Sequence, residues 1–463
     1  MNNKPPEKKT SRRDALKKIG LVTGAALAGM GIHGSDPARA YQGKRPNIIF
    51  ILSDDHRWDL LSCLDHPFMQ TPQLDRLAKD GVLFTNAFVT TSLCSPSRAT
   101  FLTGKYAHSH GVRNNVTPWN NENVTFFESF KKLGYDTAFI GKWHMPGKLP
   151  QLRGVDKFAT FTVQSGQGRY FDCPIIEDGI ERPSRKKYIT EELTDMALDF
   201  IGKQRHNPFC LFLAHKAAHH QFLPPPETKG MYKNIKLDLP REIDQGITMT
   251  NGNIFYGTMG PMTYHYRNYC ETLTALDGQI GRVLDKVDEM GIAEDTMVVY
   301  AGDNGFFWGE HRLIDKRWAY EEAIRVPFIV RYPRLIPDPG RKADQMITNV
   351  DLAPSVFDAA GIQIPLDVQG ASFKPILENG TTPGRTAWLY EYFRDYPYNV
   401  PQHFAVRTKT HKYIEYDGRH ENELFDLAAD PKEEINLMGS AEGEKLLPGL
   451  KKKLDDLKRR MGI

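Results

Sequence analysis

Short apolar runs closed by polar clusters recur along the chain. Pro46 to Leu52, Tyr135 to Gly141, Phe209 to Ala214 and Thr296 to Ala301 are each rich in aliphatic, aromatic or β-branched residues, and each reads as a buried strand. Between them lie stretches with helical periodicity: Thr71 to Asp80, Phe126 to Leu133, Glu191 to Lys203 and Tyr269 to Met290. Strands alternating with helices predict an α/β fold, a mostly parallel sheet covered by helices on both faces. After about residue 370 the pattern changes. Thr386 to Tyr392, His403 to Thr408 and Lys412 to Tyr416 read as short strands joined by polar turns, and a charged helix from about Glu442 to Met461 closes the chain. This predicts a smaller C-terminal α+β subdomain built on an antiparallel sheet. The Pro-, Gly- and polar-rich stretch Pro224 to Met262 reads as a surface insertion near the mouth of a site.

The polar clusters that close the four strands change the picture. Ile51-Leu52 leads to Asp54-Asp55, Phe139-Ile140 to Lys142 and His144, Phe212-Leu213 to His215 and His219, and Tyr300-Ala301 to Asp303-Asn304. Ligands of open α/β sheets bind at the carboxyl ends of the strands. Four strands therefore deliver ionisable groups to one edge.

Composition adds little beyond an ordinary globular chain, with 463 residues, 40% hydrophobic and 25% charged. Charge adds more. Residues 1–40 hold eight Lys/Arg against three Asp/Glu, an excess larger than the whole-chain net of +3. The rest is slightly acidic, which gives no electrostatic case for nucleic acid. Ser11-Arg12-Arg13-Asp14-Ala15-Leu16-Lys17 resembles a twin-arginine export signal. A Gly/Ala-rich apolar stretch from Ile19 to Ile32 and the small-x-small site Ala38-Arg39-Ala40 follow it. Residues 1–40 are thus expected to be a signal peptide read by the twin-arginine machinery, with the mature protein periplasmic or secreted. Residues 41–370 would form the main domain and 371–463 the subdomain. Five cysteines include no Cys-x-x-Cys pair, and Cys210 sits in an apolar run as core.

The segment Leu93-Cys94-Ser95-Pro96-Ser97-Arg98-Ala99-Thr100-Phe101-Leu102-Thr103-Gly104-Lys105 carries the chemistry. Pro96 suits a first helical turn and Gly104 a stop, so Cys94 is placed at a helix N-terminus, where free N–H groups favour an anion. Arg98 lies one turn further on. Cys-x-Pro-Ser-Arg with Leu-Thr-Gly-Lys resembles the signature of the type I sulfatases. That resemblance implies an alkaline-phosphatase-like fold and a Cys94 oxidised to formylglycine by a maturing enzyme. The hydrated aldehyde would attack the sulfur of a sulfate ester.

The resemblance extends from Asn47 to about Asn436. It implies that Asp54, Asp55, Asp303, Asn304 and the modified Cys94 bind one Ca²⁺, and hard oxygen donors suit that ion. Gly141-Lys142-Trp143-His144 matches an element whose lysine holds sulfate and whose histidine expels it from the covalent intermediate. His219 matches the leaving-group acid, with His215 and His220 as rivals. Lys316 matches a sulfate-binding lysine, while Arg312 and Arg317 read as solvated loop charges. His403 and Arg407 are candidate sugar contacts on a pocket wall.

Within the family, Thr103 to His108 and Ala214 to His219 look most like N-acetylglucosamine-6-sulfatases. The expected substrate is a 6-O-sulfated sugar of a glycosaminoglycan, mucin or similar glycan. Two other readings remain: a formylglycine-dependent phosphonate or phosphate ester hydrolase, and a catalytically inactive glycan-binding homologue.

Overall fold

A computed structural model describes residues 44–463 except 151, 238, 240–261 and 419. The proposed signal peptide and most of the insertion lie outside the described residues.

Ten strands form the central sheet. Its middle consists of Asp136–Gly141, Phe209–Ala214, Asn47–Ser53 and Thr296–Gly302, side by side and parallel, with Leu52 opposite Ala214 and Ser53 opposite Gly302. Alternate residues of these strands enter opposite cores, as the two-residue strand period requires. Ile49, Ile51, Leu211, Leu213, Val298 and Tyr300 face one core, which is closed by the helices Pro72–Lys79, Ile189–Ile201 and Met262–Glu289. Ile48, Phe50, Cys210, Phe212, Met297 and Val299 face the other, closed by Cys94–Thr103, Phe126–Lys132 and Leu352–Ala359. Burial on both faces explains why these strands read as unbroken apolar runs.

The sheet is not parallel throughout. Phe328–Arg331 runs antiparallel between Thr296–Gly302 and Val82–Phe84, and Ile175–Glu177 with Ile180–Arg182 adds an antiparallel hairpin at the far edge. These strands span only three or four residues, too short to show a period. The helix expected over Tyr269 to Met290 differs from expectation too. It begins at Met262, seven residues before Tyr269 and at the residue where the insertion was expected to end. Burial drives the extra turns: Tyr266 packs on Trp308 with ring centroids 5.2 Å apart, and His265 and Met262 are buried.

The C-terminal sheet pairs Ala387–Tyr392, His403–Thr408, His411–Tyr416 and Glu423–Asp426 in antiparallel order. One face, with Leu389, Val406, Tyr413 and Leu424, is covered by Leu450, Leu454 and Leu457 of the helix Ala441–Met461. The opposite face, with Trp388, Tyr390, Ala405 and Phe425, packs on Trp318 and Tyr320. The C-terminal sheet thus buttresses the segment immediately after Lys316. Among the described residues no helix is long and apolar enough to cross a membrane.

Candidate active site

The helix Cys94–Thr103 begins at Cys94 and is buried along its whole length. Gly104 ends it at φ +66, where its N–H donates to Thr100 O at 2.9 Å. A side chain there would be strained and would press on Val368 and Ala353. Gly141 serves the site differently. A Cβ on it would stand 1.8 Å from Ala214 O, so only glycine lets the two strand ends close on each other and present Lys142. The loops then lock together, with Asp54 N donating to Ala217 O at 2.8 Å and Asp303 N to Ser53 O at 3.0 Å.

The four strand ends and the helix start converge as the sequence pattern requires. Cys94 Sγ lies 3.6 Å from Asp54 Oδ1 and 3.1 Å from Lys316 Nζ. Lys142 pairs with Asp54 and Lys316 with Asp55, and all four side chains are buried. Arg98 reaches Asp303 Oδ2 at 2.8 Å and donates from its other terminal nitrogen to Lys142 O at 2.9 Å. Asn304 donates to Asp55 Oδ1 at 2.6 Å. His144 Nδ1 is 3.5 Å from Ser95 Oγ, and its Nε2 is 2.7 Å from the Gln167 amide.

The three histidines separate clearly. His219 Nε2 stands 3.8 Å from Asp55 Oδ2, while its Nδ1 contacts His220 O at 2.8 Å and its backbone carbonyl accepts from Tyr170. His219 and His220 both line the cavity at the site, whereas His215 is fully buried and does not. Burial pushes His215 down to about 3, the behaviour of a neutral core imidazole.

The electrostatics are those of a crowded acidic cluster. Burial opposes ionisation of Asp54, but Lys142, His219, Arg98 and Lys316 outweigh it and hold its carboxyl well below the usual range. Asp55 is pushed up to about 7 by burial and by Asp54 and Asp303, despite Lys316. Burial and the Asp54 charge also raise Asp303. Carboxylates this close cannot all carry full charge without more positive charge nearby. Burial pushes the Cys94 thiol up to about 12, so the unmodified side chain is a poor nucleophile at neutral pH. Burial and Lys142 lower both His144 and His219 well below the usual histidine range.

The donor set fits a hard cation. Oxygens of Asp54, Asp55 and Asp303 lie within 4.8 Å of one another. Asn304 Oδ1 and Asp55 Oδ2 are buried without a hydrogen-bond partner among the described residues. Asp54, Cys94 and His219 also converge. That second trio overlaps the first at Asp54, and the two orphaned oxygens favour the all-oxygen set.

Two sequence expectations need correction. His403 is buried among the rings of Trp318, Tyr390, Tyr392 and Tyr416, with Nδ1 on Pro401 O at 2.8 Å. Arg407 is buried over the Phe88 ring and pairs with Glu321 at 3.3 Å. Both sit on the face of the C-terminal sheet that packs against the main domain, and neither lines the cavity. Arg317 is the converse case. Expected as a solvated charge, it is buried, pairs with Asp315 and Asp395, and lies over the Tyr398 ring. With Asn115, Gln164 and Gln167, the residues Arg317, Asp315 and Tyr398 complete the cavity wall. Arg317 could have been suspected from its place beside Lys316, whereas the glutamines carry no motif.

The sulfatase family model matches residues 46–362, and a model of the N-sulphoglucosamine sulphohydrolase C-terminal region matches 309–460. The chain belongs to the sulfatase family. This sulfatase is 34% identical to an N-acetylglucosamine-6-O-sulfatase of Bacteroides thetaiotaomicron, over 90% of the chain and 87% of that protein. It is 29% identical to human N-acetylglucosamine-6-sulfatase, over 80% and 70% respectively. A solved protein in complex with its substrate D-glucosamine-2-N,6-O-disulfate superposes with a TM-score of 0.81 at 32% identity, over 90% of this chain and 98% of that one. The phosphonate monoester hydrolase of Agrobacterium radiobacter shares the alkaline-phosphatase-like fold, with a TM-score of 0.76 at 23% identity over 90% and 96%.

Proposed function

We propose that this sulfatase removes the 6-O-sulfate of N-acetylglucosamine, or of a closely related glucosamine, at the end of a glycan. The carrying observation is the set of Lys142, Lys316 and Arg98 around Cys94, in a chain that resembles N-acetylglucosamine-6-O-sulfatases over nine-tenths of its length. Formylglycine at position 94, made by a maturing enzyme, would supply a hydrated aldehyde as an oxygen nucleophile. Ca²⁺ held by Asp54, Asp55, Asp303, Asn304 and the modified residue would supply positive charge for that oxygen and for the sulfate.

The chain's own residues account for the rest. Lys142 and Lys316 are held at the site by Asp54 and Asp55, and with those carboxylates engaged by an ion both ammoniums would be available to an anionic ligand. The two lysines then grip sulfate oxygens, and charge that develops on the transferring group meets fixed donors in a dry site. Arg98 holds Asp303 and the Lys142 backbone in place. His219 stands at the cavity, where the negative charge of a bound sulfate would favour its protonated form and let it protonate the departing sugar oxygen, and His144, beside the start of the Cys94 helix, is placed to take a proton from the group at residue 94. The site cavity is about 250 Å³, below the roughly 300–1,000 Å³ usual for small-ligand pockets, and so suits one sulfated sugar ring. Twin-arginine export to the periplasm or beyond would deliver the folded, modified enzyme to its glycan.

The test is turnover of N-acetylglucosamine-6-sulfate beside its 3-sulfate isomer, N-sulfated glucosamine and a phosphonate monoester. Selective release from the 6-position supports the reading. Release only from nitrogen, or hydrolysis only of the phosphonate, replaces it.

A further inference from the structure

Next to the site cavity lies a larger one of about 890 Å³. We propose that this second cavity, walled by Trp318, Tyr320, Tyr396, Tyr398, His420 and Glu423, is a glycan subsite for uncharged sugar units attached to the sulfated terminal residue. The inference rests on the sulfated-sugar reading of the first cavity and extends it to the rest of the chain being processed.

Continuity comes first. Tyr398 lines both cavities, and the Arg317 guanidinium packs 3.3 Å from its ring centroid on the catalytic side. Trp318 follows Lys316 by two residues, so one short segment supplies a wall to each cavity. A glycan whose terminal ring is held at Lys316 has its next units directed along this shared wall.

Chemistry comes second. Sugars present apolar C–H faces and hydroxyl edges, and aromatic faces beside a few polar groups match both. Trp318 stands 5.3 Å from the His420 ring, and His311 stacks on Tyr320 at 4.0 Å. Tyr396 projects its ring outward and is 73% exposed, although a large aromatic gains by being covered. The Glu423 carboxylate is held in place by Tyr320 and Tyr416 at 2.8 and 2.7 Å, an acceptor set for hydroxyl groups.

Charge decides the class of sugar. Arg394 at the rim is already paired with Asp417 at 3.0 Å, and Glu423 adds a further carboxylate to the wall. Among the described wall residues His311 is likewise paired, with Glu322 at 3.5 Å, so neither it nor Arg394 is left for a sulfate or carboxylate, which favours neutral hexose or N-acetylhexosamine units.

The experiment compares kcat/KM for N-acetylglucosamine-6-sulfate with two trisaccharides that carry it at the non-reducing end. One continues in neutral sugars; the other has a sulfate on the adjoining ring. The neutral trisaccharide is expected to exceed the monosaccharide at least tenfold and to exceed the sulfated trisaccharide. Tyr396→Ala should collapse that first ratio by about tenfold; because the side chain is mostly in solvent, the variant should fold. Equal kcat/KM for monosaccharide and neutral trisaccharide overturns the inference. So does a preference for the sulfated neighbour, or an unchanged ratio in both Tyr396→Ala and Trp318→Phe. Titration calorimetry with the desulfated neutral trisaccharide separates the two readings. Binding weakened at least fivefold by Tyr396→Ala, without sulfate release from any substrate, upholds the subsite and sinks the proposed reaction. No binding to the wild-type protein overturns the subsite.

Discussion

Replacing Lys412 with methionine should destabilise the protein more at alkaline than at acid pH. Lys412 is buried between Glu433 at 2.6 Å and Glu321 at 3.0 Å, and Arg407 also pairs with Glu321. The network ties the C-terminal sheet to the segment after Lys316, because Glu433 accepts from Glu321 N at 2.8 Å. Removing one partner of a buried pair costs roughly 3–5 kcal/mol, since the other charge stays buried and uncompensated. Unfolding entropy of about 2.1 cal/mol/K per residue over the unit Lys44–Ile463 gives roughly 0.9 kcal/mol per degree, so Tm should fall by about 3–6 °C.

The sign with pH follows from Glu433. Burial pushes its carboxyl up to about 7 even with Lys412 beside it, so the folded protein binds a proton there that the unfolded chain releases near 4.5. That proton stabilises the fold below the unfolded value, and the benefit is lost as pH rises toward 7. Without Lys412 the folded value climbs further and the loss continues above 7. The Tm gap between wild type and Lys412→Met should therefore widen from pH 6 to pH 8.5, by at most roughly 1.4 kcal/mol per unit. Scanning calorimetry at both values measures it. A gap under about one degree, or one that narrows with pH, refutes the reasoning.

Lys316→Ala should lower kcat on the sulfate ester by about 10²–10³, the scale of losing one charge-stabilising donor, measured on protein with equal conversion of residue 94. A loss confined to KM would move Lys316 from the reaction to ground-state binding. Asp277 accepts from Gln73 N at 3.1 Å and Leu74 N at 2.8 Å at the start of the helix Pro72–Lys79, so Asp277→Ala should cost about 0.5–2 kcal/mol by removing that cap. Calorimetry checks this, and an unchanged Tm contradicts it. At His108, burial disfavours the charge but Glu391 at 2.7 Å outweighs it and raises the imidazole. That contribution is complete below about 6.5 and is lost as pH rises through the folded value. The Tm deficit of His108→Gln should therefore shrink from pH 6 to pH 9, and a constant deficit would show the pair to be uncharged throughout. Calcium chelation should abolish turnover and lower Tm, and added Ca²⁺ should raise Tm with concentration as a ligand of the folded state alone does.

Much of this was legible in the sequence because the site is built from local patterns. The four parallel strands are apolar on both faces, and each ends in a polar cluster, so backbone topology alone brings Asp54, Lys142, His219 and Asp303 together. The helix that starts at Cys94 was legible from Pro96 and Gly104. The rest depends on distant packing. The short antiparallel strand Phe328–Arg331 has too few residues to declare itself. His403 and Arg407 alternate on their strand as surface polar residues would, yet the sheet turns that face inward against Trp318 and Phe88. Arg317 reads as a loop charge until Asp395, 78 residues away, folds over it.

The central claim is that residue 94 acts as formylglycine on a 6-O-sulfate. The most direct measurement pairs the mass of the peptide containing residue 94 with sulfate release from N-acetylglucosamine-6-sulfate by the same preparation, for wild type and Cys94→Ser. The account predicts turnover in proportion to the fraction carrying the aldehyde mass, and a large loss in Cys94→Ser. Near-normal turnover by the serine variant, or by protein whose Cys94 is unmodified, would contradict it.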